Sequence, residues 1–153
     1  MGQTSQVAID LVKKWERLHK VGKDGLIYAY LCPALVPTIG YGTVVPSLDY
    51  GPITKEHAEE LLLDELERCQ NSALVQSPNL SAYPNCLAAI TSFIYNLGAG
   101  RYKASTLRRK INAGEFQEAS KEIKKWVWGG GRKLPGLVAR RLEESKLIWP
   151  SQT

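Results

Sequence analysis

The chain has 153 residues, 44% of them apolar and 23% charged, with a formal net charge of +5. That length suits one domain with a real core, and the composition excludes a disordered or fibrous polymer. No run approaches the roughly 18 apolar residues a bilayer crossing needs.

The opening MGQTSQ has Gln6 where a myristoylation signal wants Ser or Thr. The apolar start VAIDLV is broken by Asp10 and followed by Lys13 and Lys14, so neither a signal peptide nor an anchor is expected. Val7, Leu11 and Trp15, with Ala8 and Val12 beside them, form a helical stripe and predict a first helix over 5–16. Glu16 then falls in its last turn. Gly22 and Gly25 mark a loop. LIYAYLC (26–32) and PTIGY (37–41) predict a small β-hairpin through the turn PALV, and TVVPSLDYGP reads as loop or edge strand.

Thr54 is a candidate N-cap for a helix linking two lobes, with Ala58, Leu61, Leu62, Leu66 and Cys69 on its apolar face. CLAAITSFIYNLGAG is apolar nearly all round and too short for a membrane, which predicts a helix buried on all sides. Ser105 caps STLRRKINAG, which Gly114 ends. EFQEASKEIKKW places Phe116, Ala119, Ile123 and Trp126 on one face. WGGGRK is a flexible or tight loop, and Pro135 opens a last helix. The sum is an α+β chain, mostly helix, with one small sheet near its N-terminus.

Charge is uneven. Residues 49–70 carry seven acids against two bases, 71–100 carry none of either, and 101–153 carry thirteen bases against five acids. The basic end suits a polyanionic partner, such as nucleic acid, an acidic membrane face or an acidic cell-wall polymer; solubility explains it equally well. Three cysteines without a C-x-x-C, and two distant histidines, His19 and His57, argue against a disulfide framework or a structural metal.

Glycoside cleavage needs a proton donor on the leaving oxygen and a second group that activates water or attacks the sugar carbon. Glu16, beside an apolar stripe and preceded by Trp15, fits the donor; by spacing alone a solvated helix end is the commoner fate of a single glutamate. Cys32 is either a small buried hydrophobe or, facing a cleft, a thiolate base or nucleophile. Thr38 either holds a water or is a plain strand residue. TIGYG alternates glycines with β-formers, which lets backbone approach a flat group such as a sugar ring, and it lacks the spacing of a nucleotide loop.

At these residues the chain resembles the phage lysozymes, or endolysins, of glycoside hydrolase family 24. Glu16, Cys32, Thr38 and TIGYG match that family's N-terminal signature in order. SFIYNLGAGRYKASTLRRKINAGEF and KKWVWGGGRKLPGLVARR match its C-terminal lobe. The resemblance implies a two-lobed lysozyme-like fold, a small N-terminal sheet lobe and a larger helical lobe joined by a long helix. The lobes would span about 16–53 and 73–153, the link about 54–72, and the first helix would pack on the helical lobe.

It also implies a hydrolase of the β-1,4 bond between N-acetylmuramic acid and N-acetylglucosamine. Glu16 would be the general acid, Cys32 the catalytic Asp or Cys, and Thr38 the residue that orients water. Val44, Tyr95, Asn96 and Thr106 would line the saccharide cleft, though Asn96 equally reads as a helix C-cap. Arg140 and Arg141 would touch acidic peptide stems or stay solvated. No cofactor is implied. The partner would be peptidoglycan strands, with no nucleic acid and no stable membrane insertion, and the protein would be a monomer in the host cytoplasm awaiting membrane permeabilisation. A lytic transglycosylase, a silent wall-binding module and a nucleic-acid-binding protein are the rival readings.

Two features depart from the family pattern. HKVGKDG (19–25) reads as an insertion lengthening the first helix-to-strand loop, with Asp24 a surface residue. Arg17 stands where a glycine commonly follows the glutamate, and an inward Arg17 would favour the ionised acid.

Overall fold

The structure, a computed structural model, describes residues 4–150. The Met1–Gln3 part of the myristoylation reading and the last residues of the expected helical lobe lie outside that range. Helix α1 (Gln6–Glu16) starts where the Ser5 hydroxyl accepts the Ala8 N–H at 3.2 Å, and ends at Arg17, whose φ of 54° turns the chain out of the helix. Its buried face runs through Ala8, Leu11 and Val12, while Val7 of the expected stripe is 42% exposed. Helix α1 packs on α3 (Pro84–Leu97), and with Ala8 and Val12, one turn apart, on its buried face, Val7 is left outside.

The inserted stretch is a closed surface turn. Val21 bridges Ile27, Ile27 bridges Ile53, and the Gly22 N–H donates to the Leu26 carbonyl at 2.8 Å. Asp24 is exposed, as expected, and accepts from the Leu26 N–H and the Tyr28 hydroxyl. Beyond it an antiparallel sheet runs β1 (Tyr30–Leu31), β2 (Pro37–Ile39), β3 (Thr43–Val44) in that order, pairing Tyr30 with Thr38 and Thr38 with Val44. The strand expected over 26–32 joins the ladder only at its end, because Ile27 is taken up by Val21 and Ile53.

Helix α2 (Lys55–Gln76) is capped as expected, the Thr54 hydroxyl accepting the His57 N–H at 3.0 Å, and it runs beyond the predicted end at 72. It serves two cores. Ala58, Leu62 and Leu66 pack with Val12, Ile27 and Ile39 near the sheet, while Cys69 and Ala73 join Ile90, Phe93, Tyr102, Leu107, Ile111 and Ile123. The molecule is thus α+β, a small sheet lobe and a larger helical lobe joined by one long helix.

A 3-10 turn (Pro78–Ala82) leads into α3, which is buried almost all round as its uncharged sequence required. Helices α4 (Ala99–Lys103), α5 (Thr106–Asn112, capped by Ser105) and α6 (Phe116–Ile123) follow. WGGGRK is an ordered hairpin, β4 (Trp128–Gly129) against β5 (Arg132–Lys133), and not a flexible loop. Gly130 and Gly131, at φ 57° and 79°, supply the two left-handed positions of a tight two-residue turn. Helix α7 (Pro135–Ile148) then closes on α3 and α6.

Candidate active site

Glu16 is the last residue of α1, its side chain 22% exposed at the junction of the two lobes. Its wall is ionic as well as apolar. Arg140 of α7, itself 4% exposed, donates from Nη1 to Glu16 Oε1 at 2.7 Å. A cavity of about 270 Å³ opens beside the pair, lined by Trp15, Glu16, Asn96, Leu134, Leu137 and Arg140. The other carboxylate oxygen faces the TIGYG turn: a Cβ on Gly42, whose φ is 102°, would lie 3.6 Å from Glu16 Oε2. A side chain there would meet the acid, and only glycine adopts that backbone freely. Arg17 is exposed, so the cation beside the acid is Arg140.

Arg140 is held from behind. Its Nε donates to Glu144 at 3.3 Å, and its Nη2 donates to the Ser92 carbonyl and hydroxyl, both at 3.2 Å. The Ser92 hydroxyl donates to Glu144 at 2.6 Å. Arg141 Nε stands 2.9 Å from Glu144, close enough for an ion pair but out of line for a hydrogen bond. Its Nη2 donates to Asn96 Oδ1 at 2.6 Å. Burial pushes the Glu144 carboxyl up, against the pull of Arg141, Arg140 and Ser92, and brings the Arg141 guanidinium down to about 10. The expectation that these two arginines touch peptide stems or water is therefore corrected: both are buried and committed to α3 and α7.

Cys32 follows β1 and opens the turn to β2. Its N–H donates to the Val36 carbonyl at 3.1 Å, and its own carbonyl accepts from Leu35 at 2.8 Å. The Val36 N–H, chiefly, with the Ala34 N–H and the Thr38 hydroxyl, holds the thiol below its ordinary range. Thr38 is 4% exposed on β2 and donates to the Val36 carbonyl at 2.9 Å. Its single proton is contested between that carbonyl and the sulfur. Tyr30 ties the two sides together, since burial and then the charges of Glu16 and Cys32 push its hydroxyl up.

The other anticipated contacts fall unequally. Asn96 lines the Glu16 cavity, and its carbonyl serves Arg141; the helix is capped instead by Gly98. Tyr95 is pushed up by burial and donates to the Tyr41 carbonyl at 2.8 Å, close to Gly42. Val44 is 68% exposed on β3 opposite Thr38. Thr106 begins α5, where its hydroxyl accepts from Arg109 at 2.7 Å, and it does not line the Glu16 cavity. Among the described residues no three His, Cys, Asp or Glu side chains gather to hold a metal ion.

Ser92 and Glu144 were missed from sequence, and Arg140 was given a different role. A signal existed: Ser92, beside Thr91, sets a hydroxyl in the buried apolar middle of α3, and such a hydroxyl needs a polar partner.

A carboxylate at the hinge between a small sheet lobe and a helical lobe, facing a glycine turn, places the molecule in the lysozyme-like fold class. Residues 23–144 match the phage lysozyme family, and the chain belongs to that family. It is 34% identical over 150 residues to the endolysin of Acyrthosiphon pisum secondary endosymbiont phage 1, covering 94% of this chain and 96% of that one. It is 35% identical over 147 residues to the endolysin of Bacillus phage B103, covering 94% of this chain but 53% of the relative, about half its length. The solved endolysin from Escherichia coli O157:H7 phage FAHEc1 superposes with a TM-score of 0.78 at 27% identity, covering 99% of this chain and 96% of that one. No helix of the described residues is long and apolar enough to cross a membrane.

Proposed function

We propose that the chain is a peptidoglycan hydrolase, cleaving the β-1,4 bond between N-acetylmuramic acid and N-acetylglucosamine. The observation that carries this is the placement of Glu16 Oε2 against the Gly42 turn while Oε1 is occupied by Arg140. Because Glu16 precedes the family-matched span, this geometry, not the match, is its support. Oε2, the oxygen Arg140 leaves free, delivers the proton to the glycosidic oxygen as the bond to the sugar carbon breaks. Cys32, with Thr38, completes the reaction in one of two ways. Either its thiolate takes a proton from the water whose oxygen bonds the anomeric carbon, or its sulfur bonds that carbon and water then displaces it.

Asn96 and Tyr95 meet the sugar from the helical lobe, Val44 from the sheet rim, and Thr106 at the cleft's outer end. The chain is read as one catalytic domain, with lobes over 16–53 and 73–153 and the first helix packed on the helical lobe. It acts as a monomer, without nucleic acid, on the wall of a host whose membrane another protein has opened. The basic C-terminal lobe favours an anionic wall, so turnover falls as salt rises.

The test is hydrolysis of purified peptidoglycan by the wild type and Glu16→Gln. Hydrolysis predicts reducing N-acetylmuramic acid ends and a loss of about 10²–10⁴-fold or more in the variant. Anhydro sugar ends would select a transglycosylase, and an undiminished Glu16→Gln would remove Glu16 from the chemistry.

A further inference from the structure

Four charges form a compact set at the junction of α1, α3 and α7. Arg140 and Arg141 are 4% and 0% exposed, Glu144 0%, and Glu16 22%. With Glu16 ionised the set is neutral. With Glu16 protonated, as a proton donor must be, one positive charge is left over in a region largely shut off from water.

We propose that Glu144 is a positioning residue for the reaction: a buried counter-charge that holds Arg140 in place and offsets one of the two guanidiniums beside Glu16. This rests on the reading of Glu16 as the donor. Glu144 Oε2 accepts from Ser92 at 2.6 Å and from Arg140 Nε at 3.3 Å, and Oε1 lies 2.9 Å from Arg141 Nε. Arg140 is thereby fixed on its far side by Glu144 and Ser92, with only Nη1 turned to Glu16. Arg141, oriented by the same carboxylate, fixes the Asn96 carbonyl in the Glu16 cavity. One buried anion therefore sets both the acid on α1 and the amide on α3.

Among the described residues the ion pairs of Arg140 and Arg141 are with Glu16 and Glu144 alone. Tyr95 on α3 and Tyr30 on β1 feel, besides Glu16, the charges of Glu65 and Cys32, neither of which is ion-paired to those arginines. His19 meets Glu16 through its backbone carbonyl, at 2.9 Å, and its ring packs on Tyr30. Lys13 and Lys14 on α1 are paired with Glu59 and Glu143. Among the described residues Glu144 is the one buried carboxylate. A buried ion pair is weak evidence for stability, since well-packed apolar residues often serve as well. An electrostatic task is a better account of its presence.

The experiment is kcat and KM against pH on purified peptidoglycan, with melting temperature, for the wild type, Glu144→Gln, Ser92→Ala and Glu144→Gln/Arg141→Gln. Loss of the Glu144 charge leaves Glu16 as sole counter-ion to two guanidiniums. The alkaline limb of the pH profile then moves down, on the order of one pH unit. The drop lies mainly in kcat. Ser92→Ala moves the limb the same way by less, and the double variant, balanced in charge, brings it back toward the wild-type position whatever rate is lost. A folded Glu144→Gln with the wild-type limb, lowered only in melting temperature, overturns the proposal. Should that variant not fold, an unmoved limb in Ser92→Ala overturns it instead. Failure of the wild type to hydrolyse peptidoglycan ends the enzyme reading, and this proposal with it; an active wild type with unmoved limbs ends the proposal alone.

Discussion

Glu16 and Cys32 both act on the Tyr30 hydroxyl, yet they are held by different kinds of structure. Glu16 is fixed by Arg140, 124 positions along the chain, which in turn rests on buried groups of α3 and α7. Cys32 is fixed by the backbone of the few residues that follow it, through the Val36 and Ala34 N–H groups and the Thr38 hydroxyl. The acid therefore depends on the whole fold being assembled, whereas the thiol's surroundings are set by one turn. Damage to the first side should cost stability and activity together; damage to the second should touch chemistry and leave the fold alone.

The strongest test of that contrast is Arg140→Gln. It leaves Glu144 buried with Ser92 and Arg141 but without Arg140, and Glu16 unsupported. Breaking a buried pair costs about 3–5 kcal/mol, so urea denaturation should show a loss of that order alongside near-complete loss of hydrolysis. Arg140→Lys should rescue little, because one ammonium cannot reach Glu16, Glu144 and Ser92 together. A variant of wild-type stability would mean the acid side is as locally determined as the thiol side.

Gly42→Ala probes the gap between the two sides. Its φ of 102° is strained for alanine, and its Cβ would sit 3.6 Å from Glu16 Oε2, in the space the proposed reaction gives to the sugar. Left-handed backbone costs roughly 1–2 kcal/mol. A misplaced contact at a reacting atom lowers kcat/KM by about a hundredfold. Rate should therefore fall far more than stability; a fall in stability alone would place the sugar elsewhere.

The same division explains what could be read in advance. The Cys32 turn, the Thr38 strand position, the Thr54 and Ser105 caps and the buried α3 all rest on neighbours within a few residues. Their spacing carried them. Arg140 could not be found that way, because on α7 it looks like any charged residue, and only the meeting of three helices decides that it turns inward. The rotation of α1, which exposes Val7, has the same origin. The WGGGRK stretch left a flexible and a tight loop both open, since paired glycines serve either, and the structure takes the tight one.

On the thiol side the effect is chemical. Iodoacetamide should modify Cys32 first, with a rate that rises through a midpoint below that of an ordinary thiol, because its lowered range supplies thiolate at lower pH. Cys69 and Cys86, buried and pushed up to about 12, should stay unmodified in the folded protein. Peptide mapping after alkylation reads the order, and hydrolysis should fall in step with Cys32 labelling while the melting temperature stays put. Labelling of Cys32 with full activity would take the sulfur out of the mechanism.

The smallest effect belongs to Asp24. It is the one other carboxyl between Glu16 and Cys32, so the insertion might have displaced the acid onto it. Its surroundings argue otherwise. The Tyr28 hydroxyl, then the Leu26 N–H, hold its carboxyl below the usual range, so it is ionised at neutral pH with no proton to give. Asp24→Asn keeps an acceptor for Leu26 and should leave hydrolysis within about twofold of wild type, as surface changes generally do. A loss as deep as that of Glu16→Gln would move the donor into the inserted turn, and the ionic scaffold behind Glu16 would then be support for the fold and nothing more.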